Sequence, residues 1–539
     1  MIATSQSLAS SAGLGVLQRG GNAVDAAVTA AAVLAVVEPS MTGIGGDLLA
    51  ILSDGRSGNV HALDSTGRSP FAATPDAFAA RGLREMPDTG PLVVDVPGVV
   101  EGWHQLLRRF GTISLGDALE PAIRCARDGF PVAELMANEW SNQEMKLLGD
   151  RRASATFLPN GRPPVHGEVF ANPRLARTLE TIATRGRDAF YGGEIARAIV
   201  DDIKSRDGLL DLRDFEEHQS DWVDPIRTTY RGVELLEMPP STQGFVALEM
   251  LNIFEGFDIR AMGLNSADYL HVVSEAKRIA FADRGAYLTD RDHMPRGSLE
   301  RLISKSYAAE RRAEIDVRRA HPGYTPADLG SRPALSEVEG LPTPDSRAVT
   351  REFAGSDRGD TVYLTAADGS GMVISLIQSL FGGFGAGFVA GETGITMQNR
   401  GSGFTLQAGH PNQVGPHKRP LHTLIPAMLL RDGKPWVSFG VMGGDNQAQA
   451  HAQIVANVVD FDMHVQQAGD APRVRHMGDR LAVESGVSAE VRRSLAARGH
   501  IIEDGRGQVG GYKAIMIDSD SKVLLGGSDH RKDGIAIGF

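Results

Sequence analysis

Residues 360–379 read DTVYLTAADGSGMVISLIQS, and apolar and polar side chains alternate here with the period of two that is typical of strands. The segments TVYLTA and MVISLIQS are separated by ADGSG, a run of turn-forming residues, so together they predict a β-hairpin. A turn of these five residues places Thr361 opposite Ile377. Ser379 then lies one diagonal step from Thr361 on the same face, about 7–8 Å away between backbones.

The segment before this hairpin differs in character. Residues 318–347 contain five prolines and show little periodicity, which favours a flexible surface segment over 315–360. A threonine that begins a buried strand directly after a cleavable loop can become an N-terminal nucleophile, because its own freed amine then acts as the base. Attack of the Thr361 hydroxyl on the Asp360 carbonyl would form an ester whose hydrolysis exposes that amine. From composition alone, β-propensity also explains a threonine and a serine in strands.

The rest of the chain adds mainly helices before the hairpin and strands after it. Two helices open the sequence, the second an Ala/Val-rich run from Ala23, and the turn TGIGGD leads into early strands at 48–52 and 60–63. Further helices are predicted at 99–110, 115–128, 194–204, 267–283 and 448–458, and further strands at 231–237, 394–398, 427–430, 436–439, 481–483 and 514–517. This order indicates an α+β architecture with sheets between helices.

Composition excludes several classes of protein. A net charge of -12 and a pI near 5.7 argue against general binding to nucleic acid or to anionic membranes. The single cysteine, Cys125, excludes an intramolecular disulfide. The first residues lack the basic start and apolar core of a signal peptide, which predicts a cytoplasmic protein. No metal site is predicted, because His410, His417 and His422 stand around prolines without a set of carboxylates.

Several stretches resemble the gamma-glutamyltranspeptidase family of N-terminal nucleophile hydrolases. The matching stretches are LASSAGLGVLQRGGNAVDAAV, VVEPSMTGIGGD, AFADR, DTVYLTAADGSGMVISLIQS, FGGFGAGFVAGETGI, KRPLHTLIP and FGVMGGD. The resemblance implies a four-layer αββα sandwich of the N-terminal nucleophile hydrolase type, with self-cleavage between Asp360 and Thr361. Residues 1–360 would form a large subunit and residues 361–539 a small subunit, which together remain one αββα domain.

The same resemblance assigns roles to individual residues. Thr361 matches the nucleophile of the family, and Ser379 matches a hydroxyl residue that supports self-processing and the nucleophile. Gly443 and Gly444 match the glycine pair whose backbone amides form the oxyanion hole. The loss of one such donor typically lowers the rate about 100- to 1000-fold. A plain turn after a strand would be the simpler explanation if these glycines stood alone.

The residues that hold the glutamyl group in the family are different here. Thr66 occupies the position of the carboxylate-binding arginine, with Arg68 two residues away on the same face of an extended segment. The residues that hold the α-amino group of the donor correspond here to Phe381, Arg400 and Gly403. Arg400 should repel an ammonium group and attract a substrate carboxylate.

Two serines that help to hold the carboxylate in the family are replaced in this sequence. Their positions are taken by His422 and Thr423. These two residues are therefore candidates for substrate binding. His422 also has a second explanation, as a structural histidine that completes a hydrogen-bond network.

The resemblance predicts a self-processing enzyme that cleaves gamma-glutamyl, glutathione-like amide bonds through a Thr361 acyl-enzyme. The acyl group would pass to water, an amino acid or a peptide. An amidohydrolase or acylase for a non-glutamyl acyl group is the alternative, and a non-catalytic homologue is a third, against which Thr361, Gly443 and Gly444 argue. The expected partners are a small-molecule amide and its acceptor, with no cofactor, nucleic acid or membrane. A homo-oligomer is left open.

Overall fold

The computed structural model describes residues 1–329 and 360–539. The strands of these ranges are β1 Ile2–Ala3, β2 Asp47–Ser53, β3 Val60–Ser65, β4 Phe130–Pro131, β5 Val169–Phe170, β6 Asp221–Val223, β7 Ile226–Tyr230, β8 Val233–Glu237, β9 Val362–Ala367, β10 Val373–Ser379, β11 Ala427–Arg431, β12 Lys434–Val441, β13 Val474–Met477, β14 Arg480–Val483, β15 Ile501–Asp504, β16 Tyr512–Ile517, β17 Leu524–Ser528 and β18 Ala536–Ile537.

The helices of the same ranges are α1 Ser7–Gln18, α2 Ala23–Val37, α3 Pro75–Ala79, α4 Val99–Phe110, α5 Leu115–Asp128, α6 Glu134–Asn142, α7 Glu144–Leu148, α8 Arg151–Phe157, α9 Pro173–Arg185, α10 Arg187–Tyr191, α11 Glu194–Ser205, α12 Leu212–Glu216, α13 Gly244–Phe254, α14 Ile259–Met262, α15 Ala267–Tyr287, α16 Ser298–Leu302, α17 Lys305–Arg312, α18 Asn446–Val459, α19 Val465–Asp470 and α20 Ala489–Ala497. Short 3₁₀ turns are present at Pro91–Val93, Pro159–Gly161, Arg291–His293 and Arg400–Gly403.

Two large sheets lie face to face at the centre of the molecule. The first has the strand order β18-β1-β9-β10-β2-β3-β6 and the second β17-β16-β12-β11-β8-β7. Helix α2 packs on β9 and β10 of the first sheet, and helices α13 and α18 pack on the second. The order of layers is therefore helix, sheet, sheet, helix, which confirms the expected αββα sandwich.

The sequence of β2 shows why this strand lies at the centre of the sandwich. Its residues read DLLAILS, and all of them are buried. Leu48, Ala50 and Leu52 face the helical layer, whereas Leu49 and Ile51 face the second sheet. An apolar residue at nearly every position, rather than every second one, is expected for a strand that is covered on both faces.

Helix α2 is the core helix of the first helical layer. Asn22 caps it by accepting a hydrogen bond from the amide of Asp25, whose carboxylate in turn accepts one from the amide of Asn22. Every residue of the helix is buried. In the described ranges, no helix combines the length and apolar character that crossing a membrane would need.

The predicted hairpin is confirmed, but its predicted register is wrong. Ile377 pairs with Tyr363 instead of Thr361, and continuation of this ladder brings Thr361 opposite Ser379. The turn begins one residue later than expected, at Asp368, whose carboxylate accepts hydrogen bonds from two amides of the turn. A shift of two residues keeps each side chain on its original face, so alternation in the sequence cannot distinguish the two registers.

The strand predicted at 394–398 is also wrong. The residues there form only isolated bridges, one between Gly45 and Met397 and one between Val389 and Thr396. A glycine-rich turn before these bridges, with positive φ at Gly391 and Gly394, breaks the ladder before it can extend.

The segment predicted to be flexible, 315–360, falls mostly outside the described residues, which resume at Asp360. Its first part lies against α15: the Tyr324 hydroxyl donates to Glu275, and the amide of Ala327 donates to Asp283. These contacts tie the chain to the second helical layer just before residue 330.

Candidate active site

Thr361 and Ser379 form the centre of the candidate site. The Thr361 hydroxyl donates to the Ser379 hydroxyl at 3.3 Å, and the Ser379 hydroxyl donates to the carbonyl oxygen of Asp360 at 2.7 Å. Both side chains are buried and, by the alternation of β9 and β10, point into the space between the two sheets. The nucleophile predicted from the sequence, its neighbouring hydroxyl and the carbonyl at the predicted cleavage point thus form one hydrogen-bonded series.

The side chain of Asp360 is buried beside this series. Burial, and then the charge of Glu139, raise the pKa of its carboxyl group to about 7, while Lys532 and Lys146 act in the opposite direction. The Lys146 ammonium group donates to the carbonyl oxygens of Gly383 and Gly385 in the FGGFGAGF loop. The predicted cleavage point is therefore enclosed by charged side chains and is not open to solvent.

Gly443 and Gly444 lie between the end of β12 and the start of α18. Their φ angles are +125° and +54°, which side chains other than glycine rarely adopt. Neither glycine donates its backbone N–H to another residue of the described ranges. Two neighbouring amides in a left-handed turn form a concave group of donors that suits an oxyanion, the role that the family resemblance implies for them.

We expect Gly443→Ala to be more damaging than Gly444→Ala. The angle at Gly443 lies far from any region that alanine adopts, and an added Cβ would approach the Cβ of Asn446 to 3.2 Å. The strain should cost about 1–3 kcal/mol and turn the neighbouring amides away from the site. Thermal unfolding measures the strain, and the rate at which the protein cleaves a small amide measures the loss of the two donors. Equal losses of stability and rate in the two variants would contradict the assignment of the greater strain to Gly443.

Arg400 is a fully buried guanidinium group without a carboxylate partner in the described ranges. Its Cζ lies 4.0 Å from the centre of the Phe381 ring, and Nη1 donates to the Thr423 hydroxyl at 3.1 Å. Nε and Nη2 are buried and donate to no described residue. Burial lowers the pKa of Arg400 to about 10, against the opposing charges of Asp47 and Asp95, so the group stays cationic near neutral pH.

Phe381 links Arg400 to the Thr361 centre. Its amide donates to the Ser379 hydroxyl at 2.8 Å, while its ring stacks on the Arg400 guanidinium. The φ angle of Phe381 is +81°, which is rare for an aromatic residue and is typical of functional sites held by their surroundings. The backbone conformation at this residue therefore sets the distance between the nucleophile and the buried cation.

His422 is part of a buried hydrogen-bond network. Its Nδ1 accepts from the amide of Leu424, so Nε2 carries the proton and donates to the Asp47 carboxylate at 3.1 Å. Burial, and then the charge of Arg400, lower the pKa of His422 to about 4. The ring is neutral at ordinary pH, which favours the structural explanation of this histidine.

Two aspartates near Arg400 were not identified from the sequence as site residues. Asp47 ends the TGIGGD turn and accepts hydrogen bonds from the amide of Gly67 and from the Gln398 side chain, in addition to His422. Asp95 has a buried Oδ2 without a described partner, and burial, then Asp47, raise the pKa of its carboxyl group well above the usual value. The TGIGGD turn is a local signal that could have identified Asp47, whereas no local pattern marks Asp95.

Arg68 belongs to a separate cluster of ion pairs. It shares the Asp221 carboxylate with Arg291 and Arg419, at distances of 3.3, 2.5 and 2.7 Å. The Thr66 hydroxyl accepts a hydrogen bond from Arg419 in the same cluster. The contacts of Arg68 therefore connect it to these charged residues and not to Arg400.

One group of side chains in the described ranges has the composition of a metal site: His271, Glu275 and His500, all buried. Nδ1 of His271 lies 2.8 Å from Nε2 of His500, the distance of a direct hydrogen bond between the two rings. The oxygens of Glu275 already accept hydrogen bonds from the Tyr324 hydroxyl and from Arg278. These hydrogen bonds explain why His271, Glu275 and His500 lie together, and they favour a structural role for the three side chains.

Comparisons with known proteins match the chain along nearly its whole length. A family model described as gamma-glutamyltranspeptidase matches residues 9–539. The glutathione hydrolase-like YwrD proenzyme of Bacillus subtilis is 37% identical, covering 100% of this chain and 98% of that protein. The acylase ACY 1 proenzyme of a Pseudomonas species is 34% identical, covering 100% of this chain and 93% of that one.

A solved structure extends the similarity to the fold. The crystal structure of cephalosporin acylase from Bacillus halodurans superposes with a TM-score of 0.90 at 37% identity, covering 100% of this chain and 95% of that one. These relatives include one protein named as glutathione hydrolase-like and two named as acylases. The match of the family model along the chain, with the αββα fold, shows that the chain belongs to the gamma-glutamyltranspeptidase family of enzymes.

Proposed function

We propose that the chain cleaves itself between Asp360 and Thr361 and then uses Thr361 to cleave small-molecule amides whose acyl group carries a carboxylate. The observation that carries the proposal is the series from the Thr361 hydroxyl through Ser379 to the Asp360 carbonyl. Such a series places a hydroxyl nucleophile beside the amide that it must attack and gives the carbonyl a hydrogen-bond donor.

Self-cleavage begins with attack of the Thr361 Oγ1 on the carbonyl carbon of Asp360. The C–N bond between the two residues breaks, the nitrogen takes up a proton, and an ester joins Asp360 to the Thr361 side chain. Water then hydrolyses this ester, leaving a carboxylate on Asp360 and a free amine on Thr361. Donation from Ser379 to the Asp360 oxygen supports the negative charge that develops in the first step.

The same threonine would carry the reaction on substrates. The freed amine takes the proton of the Thr361 hydroxyl, which attacks the substrate carbonyl, while the amides of Gly443 and Gly444 stabilise the oxyanion. The leaving amine departs with a proton, and an ester remains on Thr361. Water or a second amine then attacks this ester, which releases the acid or a new amide and restores the threonine.

The two pieces of the cleaved chain would stay together. In the first sheet, β9 and β10 of residues 361–539 lie between β1 and β2 of residues 1–360. In the second sheet, β11 of the small piece pairs with β8 of the large piece. Separation would expose the edges of both sheets and the apolar core between them, which is costly in water.

Arg400 supports the choice of acyl group. A buried cation with two nitrogens free of described partners is costly, and a substrate carboxylate bound to Nε and Nη2 would accept both hydrogen bonds. The α-carboxylate of a gamma-glutamyl donor fits this requirement, as does the terminal carboxylate of a glutaryl group. The family positions for the α-amino group hold Phe381, Arg400 and Gly403, so we propose that an α-amino group is not required.

Three anilides that differ only at the end of the acyl chain test this proposal. Gamma-glutamyl and glutaryl anilides share the carboxylate and differ in the α-amino group, whereas butyryl anilide lacks both. We expect turnover of the glutaryl and gamma-glutamyl compounds, with kcat/KM at least as high for glutaryl, and a far lower value for butyryl. A strict requirement for the α-amino group would contradict the substrate class and restore a specific gamma-glutamyl enzyme.

A further inference from the structure

Gln243 connects two segments of the candidate site. Its Nε2 donates to the carbonyl oxygen of Thr423 at 2.8 Å and to the carbonyl oxygen of Gly444 at 3.0 Å. Its Oε1 accepts from Nη1 of Arg284 at 2.8 Å, and the same nitrogen donates to the Asp445 carboxylate at 2.5 Å. The Gln243 side chain is fully buried, so no water replaces these bonds.

The chemistry of the partners fixes the orientation of the Gln243 amide. An arginine only donates hydrogen bonds and a backbone carbonyl only accepts them. The amide oxygen must therefore face Arg284, and the amide nitrogen must face the two carbonyls. A reversed amide would set an oxygen against two oxygens and an N–H against a cation, at the cost of every one of these bonds.

The carbonyls of Gly444 and Thr423 belong to two parts of the site with different proposed roles. Gly444 is half of the glycine pair proposed to stabilise the oxyanion, and Thr423 holds Arg400, proposed to bind the acyl carboxylate. The backbone of Gln243 adds a further tie, since its amide donates to the carbonyl of His422 at 3.0 Å. A single buried side chain thus bridges the Gly443–Gly444 turn and the segment that contains His422 and Thr423.

We propose that Gln243 is a positioning residue, which sets the separation between the Gly443–Gly444 amides and the Thr423–Arg400 pair. The proposal rests on the proposed function, because both ends of the bridge act on the same acyl group. In the proposed substrate, the carboxylate bound by Arg400 and the carbonyl carbon attacked by Thr361 are joined by a short chain of atoms. A shift of the glycine turn relative to Arg400 would therefore move the oxyanion away from its donors.

Two substitutions at Gln243 separate positioning from general stability. Gln243→Met keeps the size of the side chain but donates to neither carbonyl, and we expect kcat on glutaryl anilide to fall about 100-fold, the order expected for a misplacement of about 1 Å. Gln243→Glu donates only when its carboxyl is protonated. Its kcat, relative to that of the unsubstituted enzyme at the same pH, should therefore rise as the pH is lowered, while Gln243→Met should show no such relative gain.

Gln453→Met is the matched control. Gln453 is also buried, and its side chain donates to the carbonyls of Gln449 and Val474 and accepts from the amide of Val474. Its loss should lower the thermal stability without changing kcat or its pH dependence. Wild-type kcat in Gln243→Met, or no relative gain of Gln243→Glu at low pH, would overturn the positioning role. Should Gln243→Met fail to mature, the relative kcat of Gln243→Glu on glutaryl anilide across the pH range decides, because it measures the positioning role without Gln243→Met.

The outcome for Gln243 is distinguishable from that for the proposed function. If Thr361 is not the nucleophile, Thr361→Ala will retain activity whatever Gln243 does. If only the positioning role is wrong, Thr361→Ala will be inactive while Gln243→Met keeps the kinetics of the unsubstituted enzyme.

Discussion

Thr361→Ala is expected to remain a single chain and to have no amidase activity. The substitution removes the only atom that attacks Asp360 in the proposed cleavage, and with it the nucleophile of the mature enzyme. Mass spectrometry after purification should find the intact 57.5 kDa chain instead of the pieces 1–360 and 361–539. Turnover of glutaryl anilide should fall to the uncatalysed rate, because activity and maturation depend on the same hydroxyl.

Thr361→Ser is the matched control for this experiment. It keeps a hydroxyl that can donate to Ser379 and attack Asp360, so cleavage and turnover should both persist at reduced rates. Ser379→Ala should slow cleavage, because the Asp360 carbonyl loses its hydroxyl donor. Cleavage or turnover by Thr361→Ala would show that another group is the nucleophile, and the proposal would then fail.

Arg400→Met is expected to lose activity on acyl groups that carry a carboxylate and to gain stability. Removal of one partner of a buried, hydrogen-bonded charge pair costs about 2–5 kcal/mol, so kcat/KM for glutaryl anilide should fall about 30-fold or more. Butyryl anilide has no carboxylate, and its slow turnover should change little. Kinetics on the two anilides measures this difference directly.

The gain in stability distinguishes Arg400 from an ordinary structural arginine. The substitution removes a buried cation without a carboxylate partner in the described ranges, and we expect the free energy of unfolding to rise by about 1 kcal/mol. Arg473, equally buried but paired with Asp529 at 2.9 Å, is the matched control, and Arg473→Met should lower stability. A loss of stability in Arg400→Met together with unchanged kcat/KM would assign Arg400 a purely structural role.

Local patterns were sufficient to predict most of the framework. Alternation predicted the hairpin of β9 and β10, and helical periodicity predicted α4 and α5 at their observed limits. The change from a proline-rich segment to a strand drew attention to Thr361. These features depend on residues close together in the chain, where side-chain period and turn chemistry are decisive.

The register of the hairpin shows where local patterns stop being informative. A shift of two residues preserves every inward and outward side chain, so only the Asp368 turn and the pairing with β2 decide it. The strand predicted at 394–398 failed for a related reason. A segment with strand propensity forms a strand only when a neighbouring strand pairs with it over several residues. In the described part of the chain, residues 394–398 form only isolated bridges.

In the sequence itself, local patterns indicated an α+β architecture with sheets between helices and a threonine at the start of a strand. The family resemblance added the αββα sandwich and the change of residues at the glutamyl-binding positions. Only the tertiary structure decided how the substituted residues are used. It pairs His422 with Asp47, draws Arg68 into the Asp221 cluster and leaves Arg400 buried with no ion pair to a carboxylate of the part of the chain that the structure describes. These contacts join residues far apart in the chain, so they depend on how the two sheets and their connecting segments pack, which local patterns do not contain.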